Sequence, residues 1–473
     1  MLLFGALTLL TFFGLSEAFG NGDEVIYAQN VREMRESGDW GALRWQGINT
    51  FQRPTLPFVL SMIGESFLGG EFGLRFPMAI FSLLTLVIVY AASFSFWRQH
   101  DAACIAAALC AAVPSFHLFT RSLLSDAPFV AMTTLALVGT MWSLRDKRGL
   151  LLAGAGLGGA VAVKSMAVGP IGLALAPWLL YSAYQHRAYR QLLWAVLISC
   201  VLALPYFVYS YLRYGTAFID GHIGWTLGKR VTGEYGDTVG LAGGIGAYPS
   251  HIWNADGLLV VLWLLLALIG GAIFWRRDKA LGCAATTALV TLALFSLVGT
   301  RLPHYILPIY PALAITLAGA YATITRRYSF MSAQLPRLLV GAIILSVVML
   351  GITRPMPSSY LLPSPAAKAI GLEVARLNDS RPLYTLDWYA PACAYYANKP
   401  WLALFSSPEL VHSLNSGIQF FQEADNIQTA PPWPSGSYLL AAPTESIAAA
   451  NLPLSKVLLE LGDAFVLVEV QSP

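Results

Sequence analysis

Runs of about 20 apolar residues recur along most of this chain, each long enough to cross a bilayer as a helix. Backbone in hydrocarbon must satisfy its own hydrogen bonds, so runs of this length restrict the chain to a bundle of membrane helices. Candidate spans fall at 1–19, 74–96, 102–119, 123–144, 149–163, 166–184, 191–209, 257–275, 281–299, 304–324 and 338–353, about eleven in all. The stretch 58–68 is apolar but too short to cross, and is expected to lie in the interface or re-enter. Charge agrees: Asp, Glu, Lys and Arg make up 12% of the 473 residues, where a soluble domain carries about a quarter. The net charge of +3 argues neither for nor against nucleic acid, and no nucleic-acid partner is expected.

The first segment lacks a basic leader, and Ser16, Glu17 and Ala18 make a poor cleavage site, so an uncleaved first span is expected. Cys104, Cys110, Cys200 and Cys283 lie in apolar runs and Cys393 stands alone, which is neither a disulfide framework nor a zinc pattern.

The loops set the orientation. With the N-terminus inside, the inner loops are 97–101, 145–148, 186–190, 276–279 and 326–337, and every one carries Lys or Arg, as the positive-inside rule requires. The short outer turns carry one basic residue each: Arg121, Lys164 and Arg301. The segments 20–73, 210–256 and 354–473 are then outside. A Pro/Ser-rich linker opens the last of these. An amphipathic stretch (366–377) and strand-like runs at 382–386, 438–442 and 464–470 follow, which predict a small soluble α/β domain. The division is a membrane domain, 1–353, and an outer domain, 354–473.

The unusual polar residues gather on the outer face. Asp23 and Glu24 follow the first apolar segment directly, and carboxylates near hydrocarbon tend to be kept for function. Val25, Ala28, Val31 and Met34 recur at helical spacing, so 24–36 is expected to be an amphipathic helix on the membrane, with Asp23 at its N-cap. Capping alone is therefore the plain reading of Asp23. Arg53 precedes Pro54 in extended backbone, where its forked donors suit a phosphate; a snorkelling interfacial Arg is the plain alternative. Asp126 falls a few residues inside a span and needs a partner, and Arg121 is the nearest cation in sequence. Lys164 is a lone cation at the outer end of two apolar runs. Arg301 stands above His304 and Tyr305, of which His304 is expected to be a packing residue. Segment 210–256 offers Arg213, His222, Lys229 and Arg230, and its Gly-rich part, 236–246, has the composition of a lid or of an ordinary loop.

Together these place two carboxylates, Asp23 and Asp126, and four cations on one membrane face: Arg53, Lys164, Arg301 and one from 213–230. Cations can hold a lipid-linked phosphate and stabilise it as a leaving group, while a carboxylate takes a proton from the attacking group.

The chain resembles bacterial GT-C glycosyltransferases of the dolichyl-phosphate-mannose protein mannosyltransferase superfamily, in particular aminoarabinose (lipid A) transferase-like members. The matching blocks are Asp23, Glu24, Tyr27 and Ala28; Arg32, Glu33 and Met34; Gly38, Asp39 and Trp40; Phe51 to Pro54 with Leu56; and Arg75, Phe76 and Pro77. Further along they are Thr120, Arg121, Asp126, Ala127 and Pro128; Lys164, Gly169 and Pro170; and Leu302 to Tyr305 with Leu307, Pro308, Tyr310 and Pro311. Each block is weak alone; their order and spacing are specific. The resemblance implies a polytopic GT-C fold in the bacterial inner membrane, with the C-terminal domain periplasmic. It also implies a polyprenyl-phosphate sugar donor and a lipid or cell-envelope glycan acceptor, with inversion at the sugar. It assigns the catalytic carboxylate to Asp23, with Asp126 second, and donor phosphate contacts to Arg53, Lys164 and Arg301. Glu24, Tyr27, Arg121 and Tyr305 are its further substrate-binding candidates. Members usually carry Lys where this chain has Arg53 and Arg301, which keeps the charge but alters hydrogen-bond geometry. No cofactor is required by this reading. A divalent metal at Asp23 and Glu24 stays open, although two adjacent acids do not define a site. The rival class is a transporter or lipid flippase, which would be expected to place polar residues near mid-bilayer in repeated halves.

Overall fold

The computed structural model describes residues 2–228, 244–327, 341, 363–409, 411, 427–450, 452 and 454–472. The candidate span 338–353, the linker after it, Lys229, Arg230 and most of the Gly-rich 236–246 stretch lie outside the described residues.

Within the first apolar run, helix α1 covers Leu2–Phe12, 11 residues and about 17 Å of rise. The chain then turns through Gly14, whose φ of 76° suits glycine. Helix α2, Asp23–Ser37, follows. Its N-cap is Gly22, not Asp23, and no side chain caps it; Asp23 is the first helical residue. The predicted apolar face is buried, with Val25, Ile26, Tyr27, Ala28, Val31 and Met34 packed into the protein core. Full burial of a large apolar side chain contributes about 1.5–3 kcal/mol, so this face is what holds the helix down. A short hairpin, β1 (Leu43–Trp45) with β2 (Ile48–Thr50), closes the loop.

Helix α3, Leu56–Leu68, is the predicted short apolar stretch, and it lies against α4, Gly70–Trp97. The two meet backbone to backbone, because a Cβ on Gly64 would fall 2.4 Å from the Gly73 carbonyl oxygen. The expected span 102–119 is broken. Helices α5, His100–Ala111, and α6, Pro114–Arg121, meet at a 71° bend. Pro114 cannot continue the hydrogen bonding of α5 but fits the first turn of α6.

Helix α7, Asp126–Ser143, leads to α8, Gly149–Lys164, and α9, Gly169–Gln185. These last two could be taken for a single 37-residue span, which at about 1.5 Å per residue would overshoot the bilayer. The contacts show two passes. Ser182 near the end of α9 donates to the Ser143 carbonyl at 2.7 Å, and Ala183 packs on Leu150 at the start of α8. The reversal is at Ser165, with φ 48° and ψ −122°. Helix α10, Tyr189–Tyr214, packs on α8 through glycines, since a Cβ on Gly154 or Gly158 would strike the backbone of Ala195 or Ser199. Apolar helices Gly257–Phe274, Lys279–Leu297 and Ile309–Arg327 complete the described bundle.

One end of the bundle gathers the basic loops. Trp97 donates to Asp278 at 2.7 Å, Arg326 to the Trp97 carbonyl, Arg145 to Phe96 at 3.4 Å, and His186 to Leu144 at 3.4 Å. The C-terminal domain sits at the other end. Its helix Pro365–Leu377 is capped by Ser364. Its six-stranded sheet runs β5-β4-β3-β6-β8-β7, with β3 Leu383–Leu386, β4 Trp401–Phe405, β5 Ile427–Thr429, β6 Gly436–Pro443, β7 Leu454–Leu461 and β8 Phe465–Ser472. The first four in that order are parallel, and β8 and β7 are antiparallel. The three predicted strand runs are β3, β6 and β8. This domain docks beside α2. Arg32 donates to the Tyr395 carbonyl at 2.7 Å, the Tyr396 hydroxyl donates to Glu71 at 2.9 Å, and Lys368 pairs with Glu71.

A buried ion pair fixes the register of α2. Arg75 of α4 holds Glu24 by two parallel bonds, Nε to Oε1 at 2.6 Å and Nη2 to Oε2 at 2.7 Å. It also donates to the Leu15 and Glu17 carbonyls, and the Leu123 amide donates to the same Glu24 carboxylate at 2.8 Å. Removing one member leaves an uncompensated buried charge, at a cost of about 3–5 kcal/mol. Glu24→Ala and Arg75→Ala should therefore each lower the thermal midpoint of the detergent-solubilised protein sharply, while the double variant loses clearly less than the sum. Additive losses would show that the two side chains act separately.

Candidate active site

Arg53 stands at the centre of the predicted residues. The turn Phe51, Gln52, Arg53, Pro54 brings it under the bundle, where it is 3% exposed. It therefore does not snorkel. Its Nη1 donates to Ser125 Oγ at 2.8 Å, and its guanidinium lies 5.1 Å from the Tyr27 ring centroid. Burial alone would lower its pKa, but Tyr27, Asp23 and Asp126 together raise it, so the group stays charged. Its contacts with Ser125 and Tyr27 join the 51–54 turn to the start of α7 and to α2.

Asp126 is fully buried at the first turn of α7. Its partner is not Arg121, the nearest cation in sequence, but Lys164, with Nζ to Oδ1 at 2.5 Å. The antiparallel packing of α7 and α8 brings the start of one beside the end of the other, which sequence distance conceals. Arg121 turns away instead, donating to the Leu10 carbonyl at 3.3 Å beside His117. Lys164 is thus no lone cation. Its Nζ also lies 5.6 Å from the Phe129 ring and 5.4 Å from the Tyr305 ring. Asp126 faces His304 and Arg53 as well as Lys164. His304 is buried against Phe119, with ring centroids 5.4 Å apart.

Asp23 is half-buried at the first turn of α2, where exposed amide groups favour a negative charge. Glu24, its neighbour, points the other way into the Arg75 pair. The two acids thus differ: Glu24 is held in the framework, while Asp23 is near enough to Arg53 for their charges to interact. Among the described residues no group of three or more His, Cys, Asp or Glu comes together as a metal cluster. Arg301 stands at the edge, half-buried, donating to the Ser296 carbonyl at 3.1 Å. Tyr248 lies within electrostatic range of both Arg301 and Tyr305.

Several residues at the site carried no strong sequence signal. Ser125 and Ser165 are small polar residues inside apolar surroundings. Tyr206 of α10 donates to the Arg53 carbonyl at 3.1 Å. Asp39 anchors the loop after α2 by accepting from Tyr214 at 2.6 Å, Gly41 N and Arg44. Burial would raise its pKa, but these donors outweigh that and hold the carboxyl below its usual value. A cleft of about 580 Å³ opens on the far side of α2 between Glu33, Trp45, Tyr395 and Lys399, and none of the predicted site residues lines it.

Residues 20–217 match the family model described as dolichyl-phosphate-mannose-protein mannosyltransferase. The chain is similar to two Pseudomonas fluorescens proteins named undecaprenyl phosphate-alpha-4-amino-4-deoxy-L-arabinose arabinosyl transferases 1 and 2. It is 28% identical to the first over 321 residues, 63% of this chain and 54% of the relative. It is 29% identical to the second over 359 residues, 71% of this chain and 58% of the relative. The chain therefore spans little more than half the length of these relatives. A crystal structure of ArnT from Cupriavidus metallidurans, bound to undecaprenyl phosphate, superposes with a TM-score of 0.71 at 18% identity, covering 99% of this chain and 97% of that one. The fold is of this GT-C type, and the protein is a multi-pass membrane protein.

Proposed function

We propose that the protein, whose residues 20–217 match the family model described as dolichyl-phosphate-mannose-protein mannosyltransferase, is a membrane glycosyltransferase. It moves a sugar from a polyprenyl-phosphate donor to a lipid or cell-envelope glycan acceptor of the lipid A type. The observation that carries this reading is the grouping of buried Arg53, Lys164 and Asp126 with half-buried Asp23 at one end of the bundle.

Each residue has a distinct task. Arg53 presents a fixed cationic fork to the donor phosphate. Lys164 has three ammonium donors, so holding Asp126 with one is compatible with meeting a phosphate oxygen with another. Arg301, at the edge, adds a third cation within reach of Tyr305. Tyr27 and Tyr305 wall the phosphate site with rings that already face Arg53 and Lys164. Asp23 takes the proton of the acceptor hydroxyl. The acceptor oxygen then bonds to the sugar anomeric carbon, the bond from that carbon to the phosphate oxygen breaks, and its electron pair leaves on the polyprenyl phosphate. Cations at that oxygen stabilise the departing charge in a low-dielectric pocket. Asp126 fixes Lys164, and Glu24 with Arg75 fixes the helix that bears Asp23. Attack opposite the leaving phosphate inverts the sugar.

The basic loops at the far end are cytoplasmic in this reading and the site end, with the C-terminal domain, is periplasmic in the inner membrane. A reporter active only in the periplasm, fused after residue 473, should give signal, and one fused in the 145–148 loop should not. The reverse pattern would overturn the orientation.

General-base assistance is worth about 10²–10⁴-fold. In an assay with radiolabelled polyprenyl-phosphate sugars, Asp23→Asn should lower transfer by at least about 10²-fold while undecaprenyl phosphate binding changes only a few-fold. Full activity of Asp23→Asn with a competent donor would remove Asp23 from the mechanism.

A further inference from the structure

The two cations proposed to hold the donor phosphate come from distant parts of the chain. Arg53 sits in the turn after the hairpin, and Lys164 ends α8. One side chain touches both supports. His222 is 1% exposed, and it lies in the π-helical segment Asp220–Gly228 that follows α10. Its Nδ1 donates to the Phe51 carbonyl at 2.6 Å, and its Nε2 meets Ser165 Oγ at 2.7 Å. A carbonyl oxygen only accepts, so the proton is on Nδ1, and in the neutral ring Nε2 accepts from the Ser165 hydroxyl.

Both contacts are made next to a cation. Phe51 is two residues before Arg53, and Ser165 directly follows Lys164. Ser165 is also a non-glycine residue at φ 48° and ψ −122°, a conformation that persists only when its surroundings enforce it. The Ser165 hydroxyl bond to His222 is such a constraint. The ring itself is boxed in. Phe218 stacks on it at 5.3 Å and 18°, and Phe207 meets it edge-on at 5.5 Å. A Cβ on Gly221 would stand 3.2 Å from the Phe51 ring, so glycine allows the segment to approach this closely. Tyr206 adds a further tie, to the Arg53 carbonyl.

We propose that His222 is a positioning residue that clamps the Arg53 turn to the Lys164 turn and so sets the spacing of the two cations. The inference rests on the reading of these cations as the phosphate site. Its consequence is that a side chain with no contact to the reacting atoms governs donor affinity. Misplacing a substrate-positioning group by about 1 Å can cost about 10²-fold.

The test uses the full chain in nanodiscs, with undecaprenyl phosphate as the probe and hydrogen–deuterium exchange as a ligand-free readout. His222→Phe should raise the undecaprenyl phosphate Kd by about tenfold to 10²-fold and speed exchange at both 51–53 and 163–166. His222→Asn, which keeps a donor where Nδ1 stands, should recover the protection of 51–53 but not of 163–166. Ser165→Ala should weaken binding in the unchanged background and add nothing to His222→Phe. Unchanged protection of either segment in His222→Phe would overturn the clamp, as would independent, multiplying losses in the double variant. If His222→Phe does not fold, His222→Asn and Ser165→Ala carry the same comparison. Failure of the unchanged protein to bind undecaprenyl phosphate would instead defeat the proposed function, and the exchange data would still decide whether His222 couples the two turns.

Discussion

A charge taken out of water needs a partner, and two such pairings organise the site end of this bundle. Glu24 with Arg75 ties the first long polar loop to α4, and Asp126 with Lys164 ties α7 to α8. Neither pair is well explained as a stability device, because apolar residues of similar volume often do as well or better in such positions. What the pairs supply is register. Turning α2 by one residue, about 100°, would take Glu24 from Arg75 and would also carry Val25, Ala28, Val31 and Met34 out of the core. Hydrophobic packing and the ion pair therefore favour the same rotation of the helix.

The proposed site residues lie where helices stop. Asp23 and Asp126 are first-turn residues, Lys164 is a last-turn residue, and Arg53 is in a turn. Helix ends are where unsatisfied backbone groups and a change of chain direction allow polar side chains to gather without opening the apolar interior. The far end of the bundle has helix ends too, but there basic residues bond backbone carbonyls, as Arg145 and Arg326 do. A transporter would be expected to carry its polar groups near mid-membrane in paired broken helices, whereas the buried charges described here sit at one end.

Much of this was legible in the sequence because bilayer thickness and charge cost are strong constraints. The long apolar runs announced α4 and α10, and the recurrence of Val25, Ala28, Val31 and Met34 announced α2. Asp126 and Lys164 stood out because a charge in an apolar run is expensive. What stayed hidden depends on contacts between segments far apart in sequence. Asp126 bonds a cation 38 residues away, not the nearby Arg121. Glu24 and Asp23 are adjacent, yet diverge because Arg75, 51 residues on, takes one of them. The end of α1 at Phe12 and the bend at Pro114 come from single glycine and proline residues, which a hydropathy window averages away. Ser125 and Ser165 are the hardest case, since a lone serine in an apolar helix end has no pattern at all.

In the proposed function a phosphate belongs between Arg53 and Lys164, beside Asp23. The decisive experiment is a structure of the protein with undecaprenyl phosphate bound. A phosphate oxygen is expected at about 2.7–2.9 Å from the Arg53 guanidinium, with Lys164 and Tyr305 lining the same pocket and Asp23 facing the side from which an acceptor would come. A phosphate held in the cleft beside Glu33 and Lys399, or at the end of the bundle that carries the basic loops, would contradict it.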